Sequence, residues 1–386
     1  MKACLLCDVG RIEVRDVPLP QLSPRGILLR IAAVGICGTD AHIFAGHANY
    51  NTDVSGEKIP LTAHPQILGH EISGQITEAG SEVHDLAPGD HVILDQGLNC
   101  VSTNRQPLCE YCLSGDSHQC AFYTEHGITG LPGGLAEFIA VPASNAVRLT
   151  GNLDMTEAAL AEPLGCVIHS SDAVARANTR YAISSAPPER RVRNILICGA
   201  GPAGLLFLQY LRRVLGYDGL LLVSEPNEKK RTLAKQFGAD EVLDPSHQEL
   251  GDSVREKTEG RGVDYLIEAS GQGRVFAVIP TLIRKQATVL LYGHGHAGVD
   301  LSALNSVMFK EPALITPVGA SGGFEKDGRP SVYVRALRLI EEGKIAVAPF
   351  ITHRYKSLED VQGALSDGMY APDYVKGVVT PQSIEA

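Results

Sequence analysis

The chain has 386 residues and a formal net charge of −10, an acidic balance that argues against nucleic acid or an anionic membrane surface as its main partner. Hydrophobic residues make up 44% and charged residues 20%, the composition of one or two folded domains and not of a disordered chain.

The opening Met1-Lys2-Ala3-Cys4-Leu5-Leu6-Cys7-Asp8 meets charge too early for an export signal. No run of about 18 apolar residues occurs, so no membrane span is expected. A cytoplasmic location follows as the default. There, nine cysteines point to metal or free thiols before disulfides.

Residues 12–17 alternate at period two until Pro18-Leu19-Pro20 breaks the pattern, and residues 27–34 read as a buried strand. That strand runs into Gly35-Ile36-Cys37-Gly38-Thr39-Asp40-Ala41-His42, which is to be taken together with Gly69-His70-Glu71. A catalytic zinc needs three protein ligands and one open position, and Cys37 and His70 supply two. Taken singly, Cys37 reads as a small buried hydrophobe and His70 as a satisfied loop histidine. Their company of Thr39, Asp40 and Glu71 in glycine-flanked turns favours the metal. Residues 43–66, with His47, Asp53, Glu57 and His64, form a long loop that serves either as a pocket wall or as plain surface. Residues 72–80 alternate again, Pro88-Gly89-Asp90 is a turn and residues 91–94 a further strand. Short strands between Gly/Pro turns imply a mostly β, barrel-like first domain.

Cys100, Cys109, Cys112 and Cys120 follow, the last three spaced C-x2-C-x7-C. Four thiolates can close a structural zinc site. The polar stretch around them has little apolar material with which to fold, and a metal would supply what it lacks. Residues 156–166 begin with a capping threonine and continue as a helix in which Glu162 sits among apolar neighbours. A carboxylate there calls for a cation or metal partner. Residues 178–193, which include Ser184-Ser185-Ala186-Pro187-Pro188, read as a loop or insertion.

Residues 194–198 form a continuous apolar strand, as buried parallel strands do. Gly199-Ala200-Gly201-Pro202-Ala203-Gly204 and a helix over 205–215 come next. A G-x-G-x-x-G between strand and helix lets backbone N–H groups approach a pyrophosphate at the helix N-terminus. The strand 219–224 ends at Glu225, an acceptor for adenosine ribose hydroxyls that repels a 2′-phosphate and so favours NAD over NADP. Lys229, Lys230 and Arg231 lie nearby. Helices over 228–237 and 252–259 alternate with strands at 241–243, 263–271 and 287–293, the rhythm of a doubly wound parallel sheet. An amphipathic helix spans 333–342, and the strand-like segments 351–353 and 375–379 are expected to rejoin the first domain.

Jointly, Gly35–Asp40 with His42, Gly69-His70-Glu71, the four-cysteine lobe, Glu162-Pro163-Leu164, the glycine loop and Glu268-Ala269-Ser270-Gly271 resemble the zinc-dependent medium-chain dehydrogenase/reductase family. Within it they are similar to the sorbitol/polyol and threonine dehydrogenase branch. The resemblance implies an α/β protein. A GroES-like β-rich catalytic domain (residues 1–165 and 321–386, with the zinc lobe about 95–121) would join a Rossmann NAD-binding domain (166–320). It implies a catalytic zinc on Cys37, His70 and a carboxylate, Glu71 or Glu162, between which the sequence does not choose. It makes Thr39 the alcohol-contacting hydroxyl, His42 the outer proton relay and Asp40 the residue orienting His70. It extends the cofactor contacts to Pro202, Ala203, Lys230, Ser270, Gly293 and Lys376, the last at the pyrophosphate. The implied reaction takes a hydride from a secondary alcohol of a polyol, sugar or cyclitol to NAD, in a homodimer or homotetramer. A threonine-type amino alcohol is the alternative substrate, and a non-catalytic binding protein the alternative class. The family lobe usually begins C-x2-C-x2-C, whereas residue 106 here is Gln, and Cys100 is expected to reach the zinc on a longer loop.

Overall fold

The computed structural model describes residues 1–184, 187–295 and 302–381. Ser185 and Ala186 of the expected insertion lie outside the described residues. Contacts divide the chain into two compact units, Met1–Gly165 with Ala320–Ala386, and Cys166–Gly319.

In the first unit, β1 (Lys2–Asp8) and β2 (Arg11–Asp16) form an antiparallel hairpin. β3 (Gly26–Gly35) is the central strand. β4 (Glu71–Ala79) pairs with it, and β5 (His91–Leu94) pairs with β4, both antiparallel. The two-residue strands β6 (Gly97–Leu98) and β7 (Thr124–Glu125) pair at the base of the cysteine lobe. β8 (Phe138–Pro142) lies along β3 and β9 (Ala146–Arg148) along β5. Of the ten β3 residues only Arg30 is exposed, because neighbours pack on both faces. Its Ile27, Leu29 and Ile31 meet Ile72, Ile76, Val92 and Ile139 in one core. Each such buried side chain contributes roughly 1.5–3 kcal/mol. The loop after Phe44 carries a small antiparallel bridge, Thr52 to Lys58.

The second unit is a six-stranded parallel sheet: β10 (Asn194–Cys198), β11 (Leu220–Ser224), β12 (Glu241–Leu243), β13 (Val263–Glu268), β14 (Ile283–Leu291) and β15 (Ala313–Ile315). Their order is β12-β11-β10-β13-β14-β15. The order reverses between β10 and β13, the switch point at which such sheets bind ligands beyond the carboxyl ends of the strands. All five residues of β10 are buried, as the unbroken apolar run requires.

The chain then returns to the first unit. Helix Ser331–Glu341 buries Val332, Tyr333, Ala336, Leu337 and Ile340 along one face. β16 (Ile351–Tyr355) and β17 (Lys376–Val379) run parallel to each other, and β17 pairs antiparallel with β3, Val378 opposite Gly35. The single helix expected over 156–166 is two: Met155–Ala158 and Ala161–Arg176. Asp154, not Thr156, is the cap, its carboxylate accepting from the Thr156 N–H at 2.7 Å. Glu162 thereby falls in the first turn of the longer helix.

Candidate metal centres and nucleotide loop

Cys37 and His70 are 33 positions apart in sequence and meet because β3 and β4 pair in a register that sets Gly35 opposite Glu71. Only glycine fits at 35: an added Cβ would sit 1.9 Å from Glu71 Oε2. Cys37 caps the helix Gly38–Phe44 from an extended conformation. Asp40, in the first turn, accepts from the Cys37 N–H at 2.9 Å and from the Gly69 N–H at 3.1 Å. One buried carboxylate thus ties the cysteine turn to the histidine turn. Asp40 Oδ1 lies 3.4 Å from His70 Nδ1, an ionic distance longer than a good hydrogen bond.

The charges follow from burial. Burial alone would raise the Asp40 pKa, but His70 and the two backbone N–H groups bring it below the ordinary carboxylate value. Burial alone would deprotonate His70. The negative charges of Asp40 and Cys37 overcome it and raise the imidazole well above its usual range. The Cys37 sulfur also contacts the Thr39 hydroxyl at 3.8 Å. His42 lies half-buried on the same helix, its ring 6.1 Å from that of His47.

One donor atom each from Cys37, His70 and Glu71 falls within 4.8 Å of the others. Glu71 Oε1 accepts from Lys376 Nζ at 2.6 Å, while its Oε2 is buried without a hydrogen-bond partner, as is His70 Nδ1. A buried carboxylate oxygen left in that state is what a cation satisfies, whereas His70 Nδ1 faces Asp40. A soft thiolate, an imidazole and a carboxylate make a donor set suited to zinc, so these residues fit the ion. Glu162 stands outside this trio. Its Oε1 accepts from Gln96 Nε2 at 3.1 Å.

Lys376, expected at the pyrophosphate, also has a partner in the first unit. Its ammonium is 2% exposed and donates to Glu71 and, at 2.8 Å, to the Ile36 carbonyl. Burial opposes its charge, but Glu71 and Cys37 hold the pKa above the usual lysine value. β17 carries it to the end of β3, beside the metal trio, where its charge serves Glu71.

Between β6 and β7, the sulfurs of Cys100, Cys109, Cys112 and Cys120 also gather within 4.8 Å of one another. None is in a disulfide. Cys100–Cys120 and Cys109–Cys120 are 3.7 and 3.8 Å apart. With Zn–S near 2.3 Å, the edge of a sulfur tetrahedron is about 3.8 Å, so the spacing suits zinc. The short helix Glu110–Ser114, ended by Gly115 at φ 83°, turns Cys109 and Cys112 toward the same point. Cys100 reaches that point across the longer loop.

In the second unit the glycine loop joins β10 to helix Pro202–Gln209. Gly199 has φ 101°, a left-handed conformation that glycine adopts freely. A Cβ on Gly204 would meet the Gly199 carbonyl at 1.9 Å, so the helix packs close beneath the loop. Glu225 follows β11 directly, its Oε2 accepting from the Ala200 N–H at 2.8 Å and its Oε1 from the Asn227 N–H at 2.9 Å. Arg231 is committed to Asp244 and to the Glu225 and Pro226 carbonyls. Lys230 sits in the first turn of helix Glu228–Gln236, its N–H capped by Asn227. Ser270 and Gly271 bond the Glu268 carboxylate, and Gly293 bonds the Glu268 carbonyl. The turns after β13 and β14 are thereby fixed to each other beside the loop.

Sequence reasoning missed Gln96, Glu125, Tyr333 and the Asp95–His118 pair, which form a buried polar group around Glu162. Asp95 and His118 lie 3.0 Å apart. No spacing motif announces them, although Asp95 and Gln96, both buried directly after the strand His91–Leu94, are a departure in themselves.

Two family descriptions match the chain: an alcohol dehydrogenase GroES-like domain over residues 23–151 and a zinc-binding dehydrogenase over residues 202–341. The L-threonine 3-dehydrogenase of Pyrococcus furiosus is 30% identical over 352 residues, 91% of this chain and 90% of that protein. The L-idonate 5-dehydrogenase of Vitis vinifera is 30% identical, covering 97% and 93%. A zinc-binding dehydrogenase of Sinorhizobium meliloti, solved with NADP, superposes with a TM-score of 0.79 at 29% identity, covering 98% of this chain and 99% of that one. Among the described residues no helix is long and apolar enough to cross a membrane.

Proposed function

The chain belongs to the zinc-dependent medium-chain dehydrogenase/reductase family, and from that premise we propose that it oxidises a secondary alcohol of a polyol, sugar or cyclitol to the ketone with NAD. The observation that carries the reading is the Cys37/His70/Glu71 donor set with its buried, unbonded carboxylate oxygen, in a chain that also holds a nucleotide loop. The first unit takes the metal and the alcohol, and the second takes NAD.

Cys37, His70 and Glu71 would hold the catalytic zinc, with Glu162 the carboxylate able to take the third position. The cysteine lobe would hold a second, structural zinc. Zinc, when bound, supplies a Lewis acid that makes the alcohol proton easier to remove, and NAD supplies the hydride acceptor. The chain's own part is the proton and the alignment. Thr39, its hydroxyl on the sulfur of Cys37, accepts the alcohol proton, and His42 one turn on passes it to solvent. Asp40 holds the Cys37 and His70 turns together, and Lys376 holds Glu71 on one oxygen, leaving the other for the ion. Backbone N–H groups of the loop 199–204 bind the pyrophosphate. Glu225 turns from the Ala200 N–H to the ribose hydroxyls, and its charge disfavours a 2′-phosphate, hence NAD.

A threonine-type amino alcohol is the second reading, supported by the likeness to the Pyrococcus furiosus enzyme. Incubating the zinc-loaded protein with NAD and a panel of polyols, sugars, cyclitols and L-threonine, and following NADH absorbance, tests both. No NADH from any member would refute the dehydrogenase reading. We also place the protein in the cytoplasm as a homodimer or homotetramer. None of its nine cysteines is in a disulfide, and β15 ends the parallel sheet as an open edge with Leu314, Phe309 and Val318 exposed. Such an edge calls for a partner. Phe309→Glu should lower the mass seen by light scattering, and an unchanged oligomer would move the interface elsewhere.

A further inference from the structure

Gln96 is 1% exposed and spends its whole side chain. Nε2 donates to Glu125 Oε1 at 2.9 Å and to Glu162 Oε1 at 3.1 Å, and Oε1 accepts from the Tyr333 hydroxyl at 2.5 Å. The nitrogen meets two carboxylate oxygens, which are acceptors, and the oxygen meets a hydroxyl donor, so the orientation is fixed. The backbone beneath is clamped as well. Asn145 Nδ2 donates to the Asp95 and Gly97 carbonyls at 2.8 and 2.7 Å, and the Asp95 carboxylate accepts from the Gly97 N–H at 2.8 Å. The Gln96 carbonyl accepts from the His126 N–H at 3.0 Å. The aim of this side chain is therefore set before any ligand arrives.

The segment it holds adjoins the metal trio. Gly127, two residues past Glu125, packs so closely on the His70 turn that a Cβ there would lie 2.4 Å from the Gly69 carbonyl. A lysine at position 96 would also draw Glu125 and Glu162 together, but would neutralise one of them. An amide gives each carboxylate a donor without adding a charge that would compete with a cation.

We propose that Gln96, backed by Tyr333, is a positioning residue that holds Glu162 in the orientation from which it serves the catalytic metal, with Glu125 as its fixed partner. This rests on the reading above in which Glu162 can take the third zinc position in place of Glu71. Hydrogen bonds to a ligating carboxylate set both its direction and its basicity, and losing one weakens metal binding by about 10–100-fold.

The test replaces the catalytic zinc with Co²⁺ and compares Gln96→Met, Gln96→Glu, Tyr333→Phe and Glu162→Gln. Readouts are the visible cobalt spectrum, metal affinity against a competing chelator, and kcat and KM taken separately. Tyr333→Phe removes one hydroxyl and leaves the packing in place, so it guards against a simple folding defect in Gln96→Met, while Gln96→Glu replaces the shared donor with a third carboxylate. The expected result is an altered cobalt spectrum in both Gln96 variants and affinity lowered about 10–100-fold in Gln96→Met, with Tyr333→Phe showing a smaller change of the same kind. Parent spectrum and affinity in both Gln96 variants, alongside a changed Glu162→Gln, would overturn the role of Gln96 alone. A silent Glu162→Gln would overturn the zinc assignment of Glu162 and the proposal with it.

Discussion

The two candidate metal centres of the first unit are built in opposite ways. The cysteine lobe takes four like donors from 21 consecutive residues, 100–120, and closes them on one another. The other centre takes three unlike donors from the ends of β3 and β4, held by Asp40 and by Lys376 from near the C-terminus. Four thiolates saturate a tetrahedral ion and can only bind it, whereas a mixed set of three leaves a position for chemistry. The open centre is also the one that depends on distant parts of the chain. A reactive site needs buried charges kept unsatisfied, and only a rigid, widely braced frame holds them so.

The sharpest way to break that contrast is to remove one sulfur from each centre. Cys37→Ala should lower turnover at least about a thousandfold, roughly 4 kcal/mol of transition-state stabilisation, while NAD still binds to the second unit by calorimetry. Retained turnover would take metal out of the chemistry. Next in size is Lys376→Met, which leaves the Glu71 carboxylate buried without its cation. Breaking such a pair costs about 3–5 kcal/mol, but zinc can take over the neutralisation. The unfolding midpoint of the metal-free protein should therefore fall much further than that of the zinc-loaded one. Equal losses in both forms would mean that Glu71 does not face the ion.

The two centres also differed in how far the sequence disclosed them. The cysteine lobe was readable because its geometry is local: C-x2-C-x7-C has to bring three sulfurs near one point, and only the reach of Cys100 was in question. The parallel sheet was readable for a similar reason, since each strand-turn-helix unit declares itself. Cys37, Thr39 and His70 were legible as residue types, yet their meeting rests on the Gly35–Glu71 register, which no local pattern encodes. The Lys376–Glu71 pair was not legible, because it joins residues 305 positions apart. Gln96 and Tyr333, 237 positions apart and bonded, carry no spacing signal at all. The polar contacts that tune a site are tertiary, and hydrophobic periodicity is silent about them.

Cys100→Ser should cost less than Lys376→Met does in the metal-free protein. The lobe hangs on a sheet that is complete without it, so the loss should be a few kcal/mol, well short of the roughly 10–16 kcal/mol with which zinc folds a whole small domain. Metal analysis should fall from two zinc ions per chain to one, with the dehydrogenase centre still loaded. One zinc per chain in the fully loaded parent would remove the second site.

The mildest test leaves the sequence intact and strips the metal. In the lobe, the backbone N–H groups of Cys112 and Ala121 stabilise the Cys109 thiolate and bring its pKa down to about 6. Burial pushes the thiols of Cys112 and Cys120 upward instead. The thiolate is the nucleophile, so among these three thiols Cys109 should react first with iodoacetamide once a chelator has emptied the lobe. Its rate should climb as pH passes about 6 and then level, since the favoured anion is fully formed above its own pKa. Zinc should suppress the reaction by occupying the sulfur. Mass spectrometry of the alkylated peptides decides it. Modification of Cys112 ahead of Cys109 would mean that the preset donors of the closed centre lie elsewhere than on the Cys109 turn.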